Sequence, residues 1–124
     1  MAAQVAELDY TPESIAGDKP HWHERDRAAK LAGVRRVDPA AVTGTFTDTG
    51  RWDATAEARA LRIPTLILSG DPAVYTMLEP ELARGLPADY VVIEGAGHSP
   101  HRDRPDETLA ALRSWLTTGG GSLP

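Results

Sequence analysis

Residues 63–71 read I-P-T-L-I-L-S-G-D, and residues 90–101 read Y-V-V-I-E-G-A-G-H-S-P-H. Each segment contains a short run of branched and aliphatic side chains followed by a glycine. Continuous apolar runs of this length, bounded by Pro or Gly, are typical of strands that are buried on both faces of a sheet. The two segments therefore predict strands over residues 65–69 and 90–94.

Helical patterns follow both predicted strands. Residues 79–86 and 105–116 are expected to form helices, and the second carries one apolar stripe that predicts packing on a sheet. The stripe consists of Leu109, Leu112, Trp115 and Leu116. Strand, helix, strand, helix in this order implies a parallel pair of strands with a right-handed crossover.

The first half of the chain is predicted to be mainly helical. Helices are expected over residues 22–31, 39–42 and 52–61, with Gly33 ending the first and Asp53 as an N-terminal acid or cap of the third. Residues 43–50 are rich in Thr and Gly, which favours a loop.

Composition narrows the class of protein. A chain of 124 residues with a net charge of −5 fits one compact domain and does not suit a nucleic-acid surface, which needs clustered Lys and Arg. The absence of cysteine excludes disulfides and thiolate metal sites. No stretch approaches the length of a membrane span, and Met1 to Leu8 lack the features of a signal peptide, so a cytoplasmic protein is expected.

Two parallel apolar strands do not form a stable sheet by themselves, because both edges stay open and apolar faces stay in contact with water. The strands are therefore expected to have neighbours, either from another chain or from a larger domain.

The order of these motifs resembles the C-terminal end of an α/β-hydrolase, whose last two strands deliver the acid and the base of a catalytic triad. The helices that follow Trp22 and Val37-Asp38-Pro39-Ala40 are similar to cap segments of that superfamily. The resemblance implies an α/β fold with an incomplete hydrolase sheet: parallel strand-helix-strand-helix at the C-terminus, preceded by cap-like helices. The implied organisation is a cap-like segment at 1–61, part of the core at 62–118 and a flexible tail at 119–124.

On this resemblance His98 is the general base, because Gly95-Ala96-Gly97-His98 matches the loop that carries it. Imidazole suits the role since its pKa lies near neutrality. A histidine that caps the following helix is the structural alternative.

The acid is assigned to Asp71, with a turn residue before Pro72 as the alternative. Many relatives carry their acid two residues later, where this chain has Ala73. Asp103 and Asp106 are interpreted as helix N-terminal charges.

A nucleophile is missing from the sequence. The G-x-S-x-G elbow needs a backbone N–H after its serine, and Gly97-His98-Ser99-Pro100-His101 offers a proline there instead. Ser99 is thus not expected to act as a nucleophile, and the other serines lack the elbow pattern.

Residues 21–26 read H-W-H-E-R-D, which resembles the H-x-H-x-D-H motif of the metallo-β-lactamase fold and offers a metal site as a competing interpretation. The Asp lies one residue late and the last His is missing, so no metal or cofactor is expected. The alternative is a cap-helix start with Trp22 packed and both histidines exposed.

Three hypotheses about function follow. In the first hypothesis, the chain belongs to an ester- or amide-hydrolase lineage. It acts on a small-molecule substrate only when a complementary segment supplies the nucleophile, and it is inactive alone. Alternatively, it is a non-enzymatic module that pairs through an open sheet edge, with a partner or with itself, or the reading frame is truncated. Neither nucleic acid nor a membrane is an expected partner.

Overall fold

The computed structural model describes residues 10–48 and 53–119. The chain divides into two compact units, one ending at Asp53 and the other beginning at Ala54. Met1 to Leu8, Trp52 and the part of the predicted tail beyond residue 119 lie outside the described residues.

In its described residues, 10–48 and 53, the first unit contains three helices: α1 (Pro12–Asp18), α2 (Glu24–Arg36) and α3 (Pro39–Thr47). Each begins at a side-chain cap. Thr11 and Ser14 form a capping box on α1, the Nδ1 atom of His23 accepts from Arg25 N at 3.1 Å, and Asp38 Oδ1 accepts from Ala40 N at 2.8 Å. These caps explain why the helices begin where they do.

Two boundaries differ from the sequence prediction. Gly33 does not end α2, which runs on to Arg36 and stops before Asp38-Pro39, because Pro39 favours an extended conformation at Asp38. The loop predicted from residue 43 is helical as far as Thr47. Threonine is accommodated in α3 because the hydroxyls of residues 43, 45 and 47 donate to carbonyls four residues earlier.

Trp22 is a packing residue, as predicted. Only 5% of its surface is exposed, and the ammonium groups of Lys19 and Lys30 lie 5.8 and 5.6 Å from its ring. Ile15 of α1 is also buried. His21 and His23 are exposed, in agreement with the alternative to a metal motif.

The second unit alternates helices and strands: α4 (Thr55–Arg59), β1 (Leu66–Gly70), α5 (Pro80–Arg84), β2 (Asp89–Ile93), α6 (Pro100–Asp103) and α7 (Pro105–Thr117). Asp53 is not the cap of α4, since the backbone of Ala54 takes the N-cap position. Both predicted strands are confirmed. They pair in parallel, with Leu66 opposite Asp89 and Gly70 opposite Ile93.

Helix α7 packs on β2, as predicted, and Trp115 Nε1 donates to Asp89 Oδ2 at 2.6 Å. The leucines of the predicted stripe remain largely open, with Leu109, Leu112 and Leu116 exposed by 42, 37 and 62%. The apolar face of α7 is therefore only partly covered by its own unit.

Within the described residues the sheet has two strands, so each strand has one paired and one unpaired edge. This architecture is the α/β arrangement with an incomplete sheet that the sequence predicted. None of the described helices combines the length and apolar character needed to cross a bilayer.

Candidate functional site

Two loops meet at the carboxyl ends of β1 and β2. Because the strands are parallel and in register at Gly70 and Ile93, the chain leaves both strands at the same edge of the sheet. The backbone N–H of Asp71 donates to the carbonyl of Ala96 at 2.8 Å, which continues the pairing beyond the strands. The predicted acid and the predicted base loop are thus brought together.

Asp71 holds both loops through its carboxylate. Oδ1 accepts from Ala73 N at 2.8 Å, and Oδ2 accepts from Gly95 N at 2.9 Å, across 24 residues of sequence. The first contact is the turn interaction expected of a residue before Pro72. The second ties the turn after β1 to the loop after β2.

The same two hydrogen bonds stabilise the ionised form of Asp71. The N–H of Gly95, followed by that of Ala73, lowers the pKa of this carboxyl below its ordinary value of 3.8. A carboxyl is ionised at neutral pH even at its ordinary value, and these two hydrogen bonds stabilise that ionised form further.

His98 follows this loop, and its side chain is exposed. Its ring makes an edge contact with Tyr75, with the centroids 5.5 Å apart and the planes at 79°. Ser99, not His98, occupies the N-cap of α6, so the helix-cap alternative for His98 is not realised. Among the described residues, no hydrogen bond joins Asp71 to His98.

Glycine is required at two positions of this edge. A Cβ atom at Gly70 would overlap the carbonyl oxygen of Gly97 and lie 2.7 Å from the carbonyl oxygen of Tyr75. Gly95 has a φ of 70°, which favours glycine. The two loops can therefore approach closely only because residues 70 and 95 are glycines without a Cβ atom.

Asp103 is a residue of the site that sequence reasoning missed. The sequence predicts a helix N-terminal charge here, and Asp103 does lie in the first turn of the four-residue α6, as Asp106 does in the first turn of α7; its contact with the 95–98 loop is what the sequence does not predict. Asp103 ends α6 and is only 9% exposed, and its Oδ2 accepts from Gly97 N at 2.7 Å. No periodic pattern identifies this contact, because it depends on the turn that α6 makes after His98.

Other candidates have local roles. Ser99 is followed by Pro100 at the start of α6, which leaves no N–H for an oxyanion there. The hydroxyl of buried Ser69 bonds to that of Thr76 at 2.9 Å. Across residues 10–48 and 53–119, no three His, Asp or Glu side chains gather as a metal-binding group.

Comparison with known families agrees with this geometry. A family model described as the alpha/beta hydrolase family matches residues 2–112. The chain belongs to the alpha/beta hydrolase family. No curated protein and no solved structure matches this hydrolase-family chain.

Proposed function

We propose that this chain supplies the base-bearing part of a hydrolase active site, with His98 as the general base and Asp71 as its orienting carboxylate. The observation that carries the proposal is the attachment of the 95–98 loop to Asp71 by two hydrogen bonds. They join Gly95 N to the carboxylate and Asp71 N to the Ala96 carbonyl. In parallel α/β sheets, sites lie beyond the carboxyl ends of the strands, where this loop lies.

The chemistry is acyl transfer to a nucleophile from a complementary segment that also provides the oxyanion donors. His98 takes the proton as that nucleophile attacks an ester or amide carbonyl, and then returns it to the leaving group. A water then attacks the acyl group with His98 again as base, the bond between the acyl group and the nucleophile breaks, and His98 returns the proton to the nucleophile as the acid product leaves. The substrate is a small molecule, and this sequence of steps requires no cofactor.

Asp71 is suited to orient the base for two reasons. Its lowered pKa keeps a negative charge beside the loop, and that charge stabilises the imidazolium formed during each step. Each carboxylate oxygen has a second lone pair, so Asp71 can accept from Nδ1 of His98 while it retains both backbone donors. The exposed His98 lies three residues after Gly95, whose N–H Asp71 already binds.

A complementation assay tests the proposal. The chain is mixed with an α/β-hydrolase esterase fragment that carries its own G-x-S-x-G elbow and ends before its acid-bearing strand. Association is measured by sedimentation, and turnover is measured with p-nitrophenyl butyrate. We expect turnover only in the mixture, lost with His98→Ala, reduced with Asp71→Asn and retained with the control His101→Ala.

Two results would contradict the proposal. One is a mixture that associates but shows no turnover dependent on His98. The other is the chain alone hydrolysing the ester faster than free imidazole at equal concentration, because a resident nucleophile would then exist.

We also propose a second, non-enzymatic function, pairing through a sheet edge with another copy or with a partner strand. The unpaired outer edges of β1 and β2 in the described part of the chain, together with Val92 exposed by 40%, favour it. Its test is the oligomeric state given with the predictions below.

A further inference from the structure

The loop that carries His98 is held from two sides. Asp71 binds its first residue, as described above. Asp103 binds its third, since Gly97 N donates to Asp103 Oδ2 at 2.7 Å. The donor belongs to the Ala96–Gly97 peptide, whose carbonyl accepts from Asp71 N, so the orientation of this peptide affects where the next residue, His98, presents its imidazole.

The contact with Asp103 closes a short ring around His98. Asp103 lies at the end of α6, and its own N–H donates to the carbonyl of Ser99 at 3.0 Å, which fixes the turn that follows the histidine. Its carboxylate then returns to the residue that precedes the histidine. The backbone of His98 is thus flanked by a hydrogen bond at residue 97 and by a helical turn at residues 99–103, while its side chain stays exposed.

Two features favour a short hydrogen bond between Gly97 N and the Asp103 carboxylate. Asp103 is only 9% exposed, and charge-assisted hydrogen bonds gain in strength when they are shielded from water. A Cβ atom at Gly97 would lie 3.1 Å from Oδ2, tighter than ordinary packing, so glycine allows the carboxylate to reach the N–H. On the opposite side, the Gly97 carbonyl lies against Gly70 at the end of β1.

From this geometry we infer that Asp103 is a positioning residue for His98: it fixes the Ala96–Gly97 peptide and thereby the orientation in which the imidazole meets its partners. The inference rests on the proposed role of His98 as base. Asp103 does not touch the imidazole in this scheme. It acts through the backbone, and the ring contact between His98 and Tyr75 is the reporter of the resulting position.

NMR of the chain alone tests this inference, because it needs neither a nucleophile nor turnover. The variants are Asp103→Leu, which has a similar size but no acceptor, Asp103→Asn, which keeps one neutral acceptor, and the control Asp106→Leu in the first turn of α7. Three signals are followed: exchange of the Gly97 amide, the NOE between the His98 and Tyr75 rings, and exchange of the Asp89 amide, which donates to Thr65 in the β ladder.

With Asp103→Leu, we expect at least about tenfold faster exchange at Gly97 and loss of the ring NOE, while the Asp89 amide stays protected. Asp103→Asn should retain the NOE, and Asp106→Leu should change neither signal. A retained NOE in Asp103→Leu, or an Asn variant that loses the NOE as fully as Leu, would overturn the inference.

Loss of protection at Asp89 in Asp103→Leu would show that the unit had unfolded, and Gly97→Ala then replaces that variant. Its methyl group should displace the carboxylate and weaken the ring NOE, and an unchanged NOE would overturn the inference. In the complemented assay, the folded variant should lower kcat by up to about 100-fold with little change in KM. Failure of complementation alone would leave the NMR result standing, so the two proposals fail separately.

Discussion

Replacing Gly70 with alanine tests the contact between the two loops most directly. Gly70 ends β1, and the added methyl would overlap the carbonyl oxygen of Gly97 and approach the carbonyl oxygen of Tyr75 to 2.7 Å. The obstructing atoms belong to the backbone, so no side-chain rotation relieves the clash. One loop must move away from the other.

The free-energy penalty of Gly70→Ala can be estimated from the kind of contact that the added methyl would make. Overpacking a well-packed site costs about 1–3 kcal/mol, and the upper value applies where only backbone can yield. A loss of about 3 kcal/mol corresponds to about 150-fold in the equilibrium between folded and open states. Gly85→Ala is the matched control in the same unit, because its Cβ would meet Leu82 O at 3.5 Å, an ordinary contact at a helix end. The control should change stability by less than about 0.5 kcal/mol.

Amide hydrogen exchange measured by NMR reports on this unit separately from the rest of the chain. The probe is the Asp89 amide, which bonds to Thr65 O at 2.9 Å beside the parallel pair. Gly70→Ala should accelerate its exchange by up to about 150-fold, or abolish protection if the unit is less stable than the penalty. Equal protection in Gly70→Ala and Gly85→Ala, within about twofold, would refute the close approach of the two loops.

Three further predictions concern the same unit. The carboxyl of Asp71 should titrate below its ordinary range by ¹³C NMR, because its lowered pKa reflects hydrogen bonds made only in the folded chain. The resulting stabilisation of the folded chain is present above about pH 4 and is lost as pH falls through the folded pKa. Asp71→Asn should remove this acid dependence. A double-mutant cycle of Trp115→Phe and Asp89→Asn should give a coupling of about 0.5–1 kcal/mol in urea unfolding, since the 2.6 Å hydrogen bond is charge-assisted but exposed, and a coupling near zero would contradict it. Sedimentation at micromolar concentration should show self-association if the open edges pair, whereas a stable monomer with a cooperative melt would count against edge pairing.

The sequence was sufficient for the strands because their pattern is strong and local. The six apolar or small residues between Pro64 and Asp71 leave few alternatives to a buried strand, and the second run is equally clear. The helices of the first unit were harder to place. Gly33 and the threonines of α3 have low helix propensity, yet α2 continues through Gly33, and in α3 the threonine hydroxyls bond to carbonyls one turn earlier.

The site was predictable only in part, for a related reason. The position of His98 and Asp71 at one sheet edge follows from parallel pairing, which the motif order predicts. The hydrogen-bond partners of Asp71 and Asp103 cannot be predicted from the motif order, because they depend on how the two loops cross. The link from Asp71 to Gly95 spans 24 residues, and the link from Asp103 to Gly97 requires the turn of α6. Neither has a periodic signature.

The 95–98 loop and the sheet differ in how many of their backbone groups and apolar surfaces find partners within the described part of this chain. Three consecutive loop residues have fixed backbone groups, with the N–H of Gly95, the carbonyl of Ala96 and the N–H of Gly97 bound by Asp71 or Asp103. All of these partners come from the second unit itself. The sheet, in the described residues, still has open edges and a partly exposed leucine face on α7. A partner strand would therefore complete the apolar layer without having to build the 95–98 loop, since the backbone contacts of Gly95, Ala96 and Gly97 are already made.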